Sequence, residues 1–219
     1  MTNVFSIAKD HPPRAGLTIS TPARMGTAEA TSSVVYFSMG AQTDITPETY
    51  PNACLYIACS GDGAVVMGDD FQPHALSAGE AVIVDPHTLC GAKTETGFVY
   101  VEAMTEQELS MNNAINAGEV FKLADFVPYE KDSIVNFDVA HNDHMKFALM
   151  AFDEGMGLSD HSAPGDALIF ALEGEATIGY EGQDYTIKAG ENFRFAKGGM
   201  HNVRATSGQF KMGILIVLD

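Results

Sequence analysis

The chain has 219 residues, enough for one large domain or two of about 100 residues each. It is 46% hydrophobic and 19% charged, the composition of a globular protein with a buried core. Twelve basic against 29 acidic residues give a formal net charge of −17, a surface that repels phosphate backbones and argues against nucleic-acid partners, while three cysteines with no CxxC pair argue against a disulfide framework or a zinc ribbon.

The N-terminal stretch MTNVFSIAKDHPPRAG lacks a basic segment followed by an apolar one, so no secretory signal is read there and a cytoplasmic location is expected. No apolar run reaches the roughly 18 residues of a membrane span. Residues 46 to 92 are short runs rich in Val, Ile, Tyr and Thr. Glycine, proline or aspartate turns interrupt them about every ten residues, the pattern of an all-β sandwich or barrel. His74 and His87 fall in turns of this stretch, FQPHAL and DPHTL, and are expected to face solvent. Residues 105 to 126, TEQELSMNNAINAGEVFKLADF, have few β-branched residues. They predict a short helix over 105–113 followed by a connector.

Beyond the connector the β pattern returns. VAHNDHMKFAL carries His141 and His144 ahead of a strand, and residues 159 to 205 repeat the punctuation of 46 to 92. Aligning Gly61 with Gly174 brings Pro51 onto Pro164, Leu55 onto Leu168 and Ala58 onto Ala171. With two extra residues allowed in the first hairpin, Ala78-Gly79-Glu80 meets Ala189-Gly190-Glu191. The offset is that of a duplicated domain and not of a short solenoid repeat. The last run, FKMGILIVL at 210–218, is too continuously apolar for a half-exposed edge and is expected to be buried on both faces. The organisation read from these signals is an N-terminal barrel over 1–104, a helical connector over 105–126 and a C-terminal barrel over 127–219.

Gly190, five residues, Ala196, one residue, Gly198, two residues, His201 is similar to the second motif of the cupins, with Ala196 replacing the usual proline. His161, thirteen residues before Gly174, resembles the start of the first cupin motif. The chain therefore resembles a bicupin: two tandem double-stranded β-helix (jelly-roll) barrels, the C-terminal one the clearer match. Cupins commonly hold Mn, Fe, Ni, Zn or Cu on three histidines and a glutamate. Carried over position by position, the resemblance puts those ligands on His161, Ala163, Ala167 and His201, so two of the four are alanine. Completing a site for one divalent metal (Mn, Fe, Ni or Zn) then falls to Asp166, one residue from the expected carboxylate, or to His141 and His144. The other reading of His161 and His201 is a pair of pocket histidines contacting a small polar or aromatic ligand. Arg194, in ENFRFA, clamps a carboxylate if it points inward and lies on the surface if Phe193 and Phe195 fill the core instead. Met150, Met156, Met200 and Met212 are candidates for an adaptable apolar lining.

In the first barrel the same carry-over falls on Glu48, Tyr50, Cys54 and Cys90. Two thiolates and a carboxylate suit zinc, whereas two small apolar core residues suit a barrel that is purely structural, the expectation taken here. The resemblance implies a small-molecule-binding protein with a reduced histidine site in the C-terminal barrel. Its alternative is a metal-dependent dioxygenase- or isomerase-type enzyme acting on a small organic acid or sugar, and a third reading is a metal-free enzyme using a histidine as general base. The expected assembly is a homodimer, since jelly-roll barrels leave strand edges to pair.

Overall fold

Alternating apolar residues and closely spaced turns yield a nearly all-β chain. The computed structural model describes residues 3–27 and 32–218. In chain order the elements are β1 (Val4–Phe5), the single turn α1 (Ile7–Asp10), β2 (Thr18–Pro22), β3 (Ser32–Met39), β4 (Thr43–Thr49), β5 (Cys54–Met67), β6 (Gln72–Ser77), β7 (Glu80–Val84), β8 (Leu89–Thr105), β9 (Ser110–Met111) and β10 (Phe121–Lys122). There follow β11 (Ile134–His141), β12 (Met145–Phe152), β13 (His161–Ser162), β14 (Asp166–Tyr180), β15 (Gln183–Lys188), β16 (Asn192–Phe195), β17 (Met200–Arg204) and β18 (Phe210–Val217). No helix among the described residues is long and apolar enough to cross a membrane.

The chain divides into two units, and the division differs from the one read in the sequence. One unit comprises Ile7–Arg24 and Thr31–Lys122; the other takes the described residues of Met1–Ser6 and Met25–Ala30 together with Leu123–Asp219. The residues from 105 to Lys122 group with the first unit, where Phe121 and Lys122 pair with β7. Val4 and Phe5 pair with Phe193 and Asn192 of β16, so the start of the chain completes the sheet of the C-terminal unit.

In the first unit the sheet order is β10-β7-β5-β8-β3-β2, with β4 on β8 and β6 on β5. β5 and β8 are long and run antiparallel along most of their length, broken by register shifts between Ala58 and Ser60 and between Asp62 and Ala64. In the second unit β14 has the role of β5. Its first half pairs with β18 and β16, its second half with β15 and β17. The chain bends between these halves at Gly174, and in the first unit at Gly61. Both glycines have positive φ (+74° and +72°), and a Cβ on either would collide with a carbonyl oxygen of the partner strand, that of Gln209 or Gly97. The two Ala-Gly-Glu turns match as well. Glu80 accepts from the Ser77 amide at 2.8 Å and Glu191 from the Lys188 amide at 2.9 Å, while the Gly79 and Gly190 amides donate to Ala58 and Ala171. The repeat seen in the sequence is thus a repeat of conformation.

The helix expected over 105–113 is not formed. After β8 the chain turns repeatedly, and the Asn112 side chain accepts from the Ala114 amide at 3.0 Å, a local bond that competes with helix. The helical part of the connector is a 3-10 turn at Leu123–Phe126. β18 lies between β12 and β14, a central position that accounts for its unbroken apolar sequence. Its one charge, Lys211, donates to the Ala124 carbonyl at 2.9 Å, lies 3.3 Å from Glu173 and sits 4.6 Å above the Tyr129 ring.

Candidate functional site

The two histidines singled out in the sequence meet directly. β13 and β17 pair antiparallel with His161 opposite His201, and the ring centroids are 4.1 Å apart. His201 is buried and His161 exposed. On its other side His201 stacks on Phe195, 3.9 Å between centroids and 26° between planes. Phe195 in turn lies 5.1 Å from Phe193 and 5.4 Å from Tyr180. The result is a file of rings from the exposed rim at His161 to the packed interior.

Each histidine uses one ring nitrogen on a backbone carbonyl. His161 Nδ1 is 2.8 Å from the Ser159 oxygen, and His201 Nδ1 is 3.1 Å from the Gly199 oxygen. A carbonyl only accepts, so both Nδ1 atoms carry the proton and, in the neutral rings, both Nε2 atoms present a lone pair. Burial pushes the His201 pKa below its ordinary value; the Gly199 carbonyl opposes that shift and His161 adds to it. The buried ring is therefore held neutral, an acceptor at Nε2.

The remaining positions divide clearly. Ala163 and Ala167 are buried in the interior cluster, as are Phe193, Phe195 and Met212, with Met150 packed against it. Arg194 lies on β16 between the two inward phenylalanines and so faces away from that cluster, outside the pocket in which a carboxylate clamp was considered. Asp166 is turned elsewhere: its carboxylate accepts from the Lys197 amide at 2.8 Å and the Gly26 amide at 3.0 Å. His141 and His144 stay at the β11–β12 hairpin, and Met200 is exposed beside His201. Among the described residues no three His, Cys, Asp or Glu side chains gather to hold a metal ion. A catalytic metal asks for about three protein ligands, so the two-imidazole set does not fit the cofactor that the sequence resemblance allows.

In the first unit Cys54 and Cys90 are buried, free and part of the interior cluster, with Tyr50 packed against it. They do not assemble with Glu48 into the considered zinc set. Of the turn histidines, His87 is exposed as expected, at φ +59°, while His74 lies half-buried in β6. What the sequence reading missed here is Glu102, a buried carboxyl two residues from Tyr100 and four from Phe98 on the same face of β8.

Residues 148–218 match the family model of the cupin domain. The "Cupin 2 conserved barrel domain protein from Leptotrichia buccalis" superposes with a TM-score of 0.85 at 21% identity, over 98% of this chain and 95% of its own. The fold is that of the cupin barrels. Salicylate 1,2-dioxygenase from Pseudoaminobacter salicylatoxidans, solved with gentisate, aligns with a TM-score of 0.69 at 9% identity, over 98% of this chain and 80% of that one. AerE from Microcystis aeruginosa aligns at 0.55 and 10% identity, over 92% and 98%. No curated protein sequence matches the chain. At these identities the cupin likeness fixes the architecture, and the site has to speak for the chemistry.

Proposed function

We propose that the chain is a bicupin that binds a small organic molecule in its C-terminal barrel without a resident metal. One observation carries this reading: two facing imidazoles whose Nδ1 atoms are engaged on carbonyls, leaving Nε2 to the site, with His161 at the exposed rim and the rings of His201, Phe195, Phe193 and Tyr180 continuing inward. Such a surface suits a planar molecule bearing a hydroxyl or other hydrogen-bond donor, with the ring stacked and the donor directed at an imidazole. Ala163 and Ala167, small where larger ligating side chains are expected, pack with Met212 behind these rings.

The test is a titration of untagged protein with small hydroxyaromatics, beginning with gentisate, alongside elemental analysis by mass spectrometry. The expected outcome is saturable one-to-one binding that the double substitution His161→Ala, His201→Ala removes, with metal well below stoichiometric in both proteins. Binding unaffected by the double substitution, no binding across the panel, or stoichiometric metal lost with the two histidines would each overturn the proposal.

A further inference from the structure

The segment that brings His161 to the site lies along β17 with one residue more than its partner. Gly157 stands opposite Arg204 and His161 opposite His201, four steps along one chain against three along the other. The surplus is a bulge over Ser159 and Asp160. It is bracketed by the Leu158 amide on the Val203 carbonyl at 2.9 Å and the Ala163 amide on the Gly199 carbonyl at 3.0 Å. The bulge decides which side chain meets His201. An unbroken register would set Asp160 opposite His201 and turn His161 to the other face, because side chains alternate along a strand. The bulge also supplies the Ser159 carbonyl that engages the His161 ring at 2.8 Å.

The Asn202 side chain, next to His201 on β17, fastens this bulge. Its carbonyl oxygen accepts from the Gly179 amide at 3.3 Å, and its NH2 group donates to the Asp160 carboxylate. A backbone N–H only donates and a carboxylate only accepts, so a single orientation of the amide serves both partners. Gly179 makes the place for it. This glycine lies mid-strand in β14 with no positive φ to require it. A Cβ there would come within 2.6 to 3.0 Å of the Asn202 amide atoms. Glycine inside a strand marks a close approach, and the group that approaches is the Asn202 side chain. One amide thus ties β14 and β17 to the bulge, beside His201 on one strand and beside the neighbour of His161 on the other.

We infer that Asn202 is a positioning residue of the C-terminal site: its amide clamps the Asp160 bulge and so holds the His161 ring against His201. The inference rests on the reading of these two histidines as the ligand site. Asn202 acts through His161 and not on the ligand, since alternation along β17 points its side chain to the face opposite His201. With the clamp released, the bulge is free to straighten and carry His161 away, while His201 keeps its place on Phe195.

The experiment reads the ring pair in the unliganded full chain, labelled with isotopic histidine, through the nuclear Overhauser contact between the His161 and His201 rings. Asn202→Asp keeps the side chain's size and its bond from the Gly179 amide, but sets a second carboxylate against Asp160. The expected result is loss of the ring contact and about tenfold weaker binding of gentisate, roughly the worth of one hydrogen bond. The melting temperature is expected to change by no more than about 2 °C, because the Asp160–Asn202 pair is exposed. Adding Asp160→Asn to Asn202→Asp exchanges the donor and acceptor ends of the pair, and is expected to restore both ring contact and binding. A ring contact that survives Asn202→Asp, or that is lost and not restored by the exchange, would overturn the inference. Loss and restoration of the contact with gentisate binding unchanged would uphold the clamp and overturn instead the reading of the two histidines as the ligand site.

Discussion

His201 is the residue on which the C-terminal site turns, and its burial makes it a sensor of acidity. Its folded pKa lies below the ordinary 6.5 because desolvation disfavours the imidazolium. The unfolded chain therefore binds a proton near that value while the folded chain stays neutral. The contribution of His201 to stability is fully present above about 6.5 and is lost as the pH falls from there through the lower folded value. Replacing His201 by Phe retains a ring on Phe195 and removes the titration. Urea denaturation at about pH 8 and about pH 5 is expected to show a smaller acid loss in the variant than in the unsubstituted chain. An equal loss would place the acid sensitivity elsewhere. His161 and His201 were singled out through the resemblance of their spacing to the cupin motifs; their facing positions come from the register of β13 on β17. The acceptor role of Nε2 was not legible, because it depends on the carbonyls of Ser159 and Gly199. Glu102 was obscured for a different reason: in the run FVYVEAM both faces of the strand are apolar, so periodicity does not say which way the single charge points.

At the level of elements, the bend in β14 is the most constrained joint. Gly174 has φ +74° and its missing side chain is the space taken by the Gln209 carbonyl. Gly174→Ala must bear both a left-handed backbone and a backbone collision, so a loss of at least about 2 kcal/mol is expected in chemical denaturation. A change within about 0.5 kcal/mol would show that β18 yields easily. The alignment of Gly61 with Gly174 found this joint in both units without coordinates, because only glycine serves there. The connector was misread over 105–113 for a local reason: Glu, Leu, Met and Ala favour helix, but Asn112 bonds its own backbone. The C-terminal strand was read rightly as buried, since a strand flanked by β12 and β14 has no edge to protect.

For the molecule as a whole, the instructive departure is that sequence order and unit membership disagree. Periodicity is a local quantity and has no means of showing that Val4 and Phe5 join a sheet most of whose strands lie beyond residue 130. The consequence is testable. Deleting residues 1–6 bares the β16 edge, so hydrogen exchange is expected to quicken at Phe193 while β5 and β8 keep their protection. Faster exchange confined to the first unit would contradict the assignment. The same pairing bears on synthesis. Val4 and Phe5 find their partners only once Phe193 and Asn192 have been made, a closure over a long stretch of chain that is entropically slow. Until β16 has emerged, β1 is an unpaired ribbon on the nascent chain, open to the wrong partner for that interval.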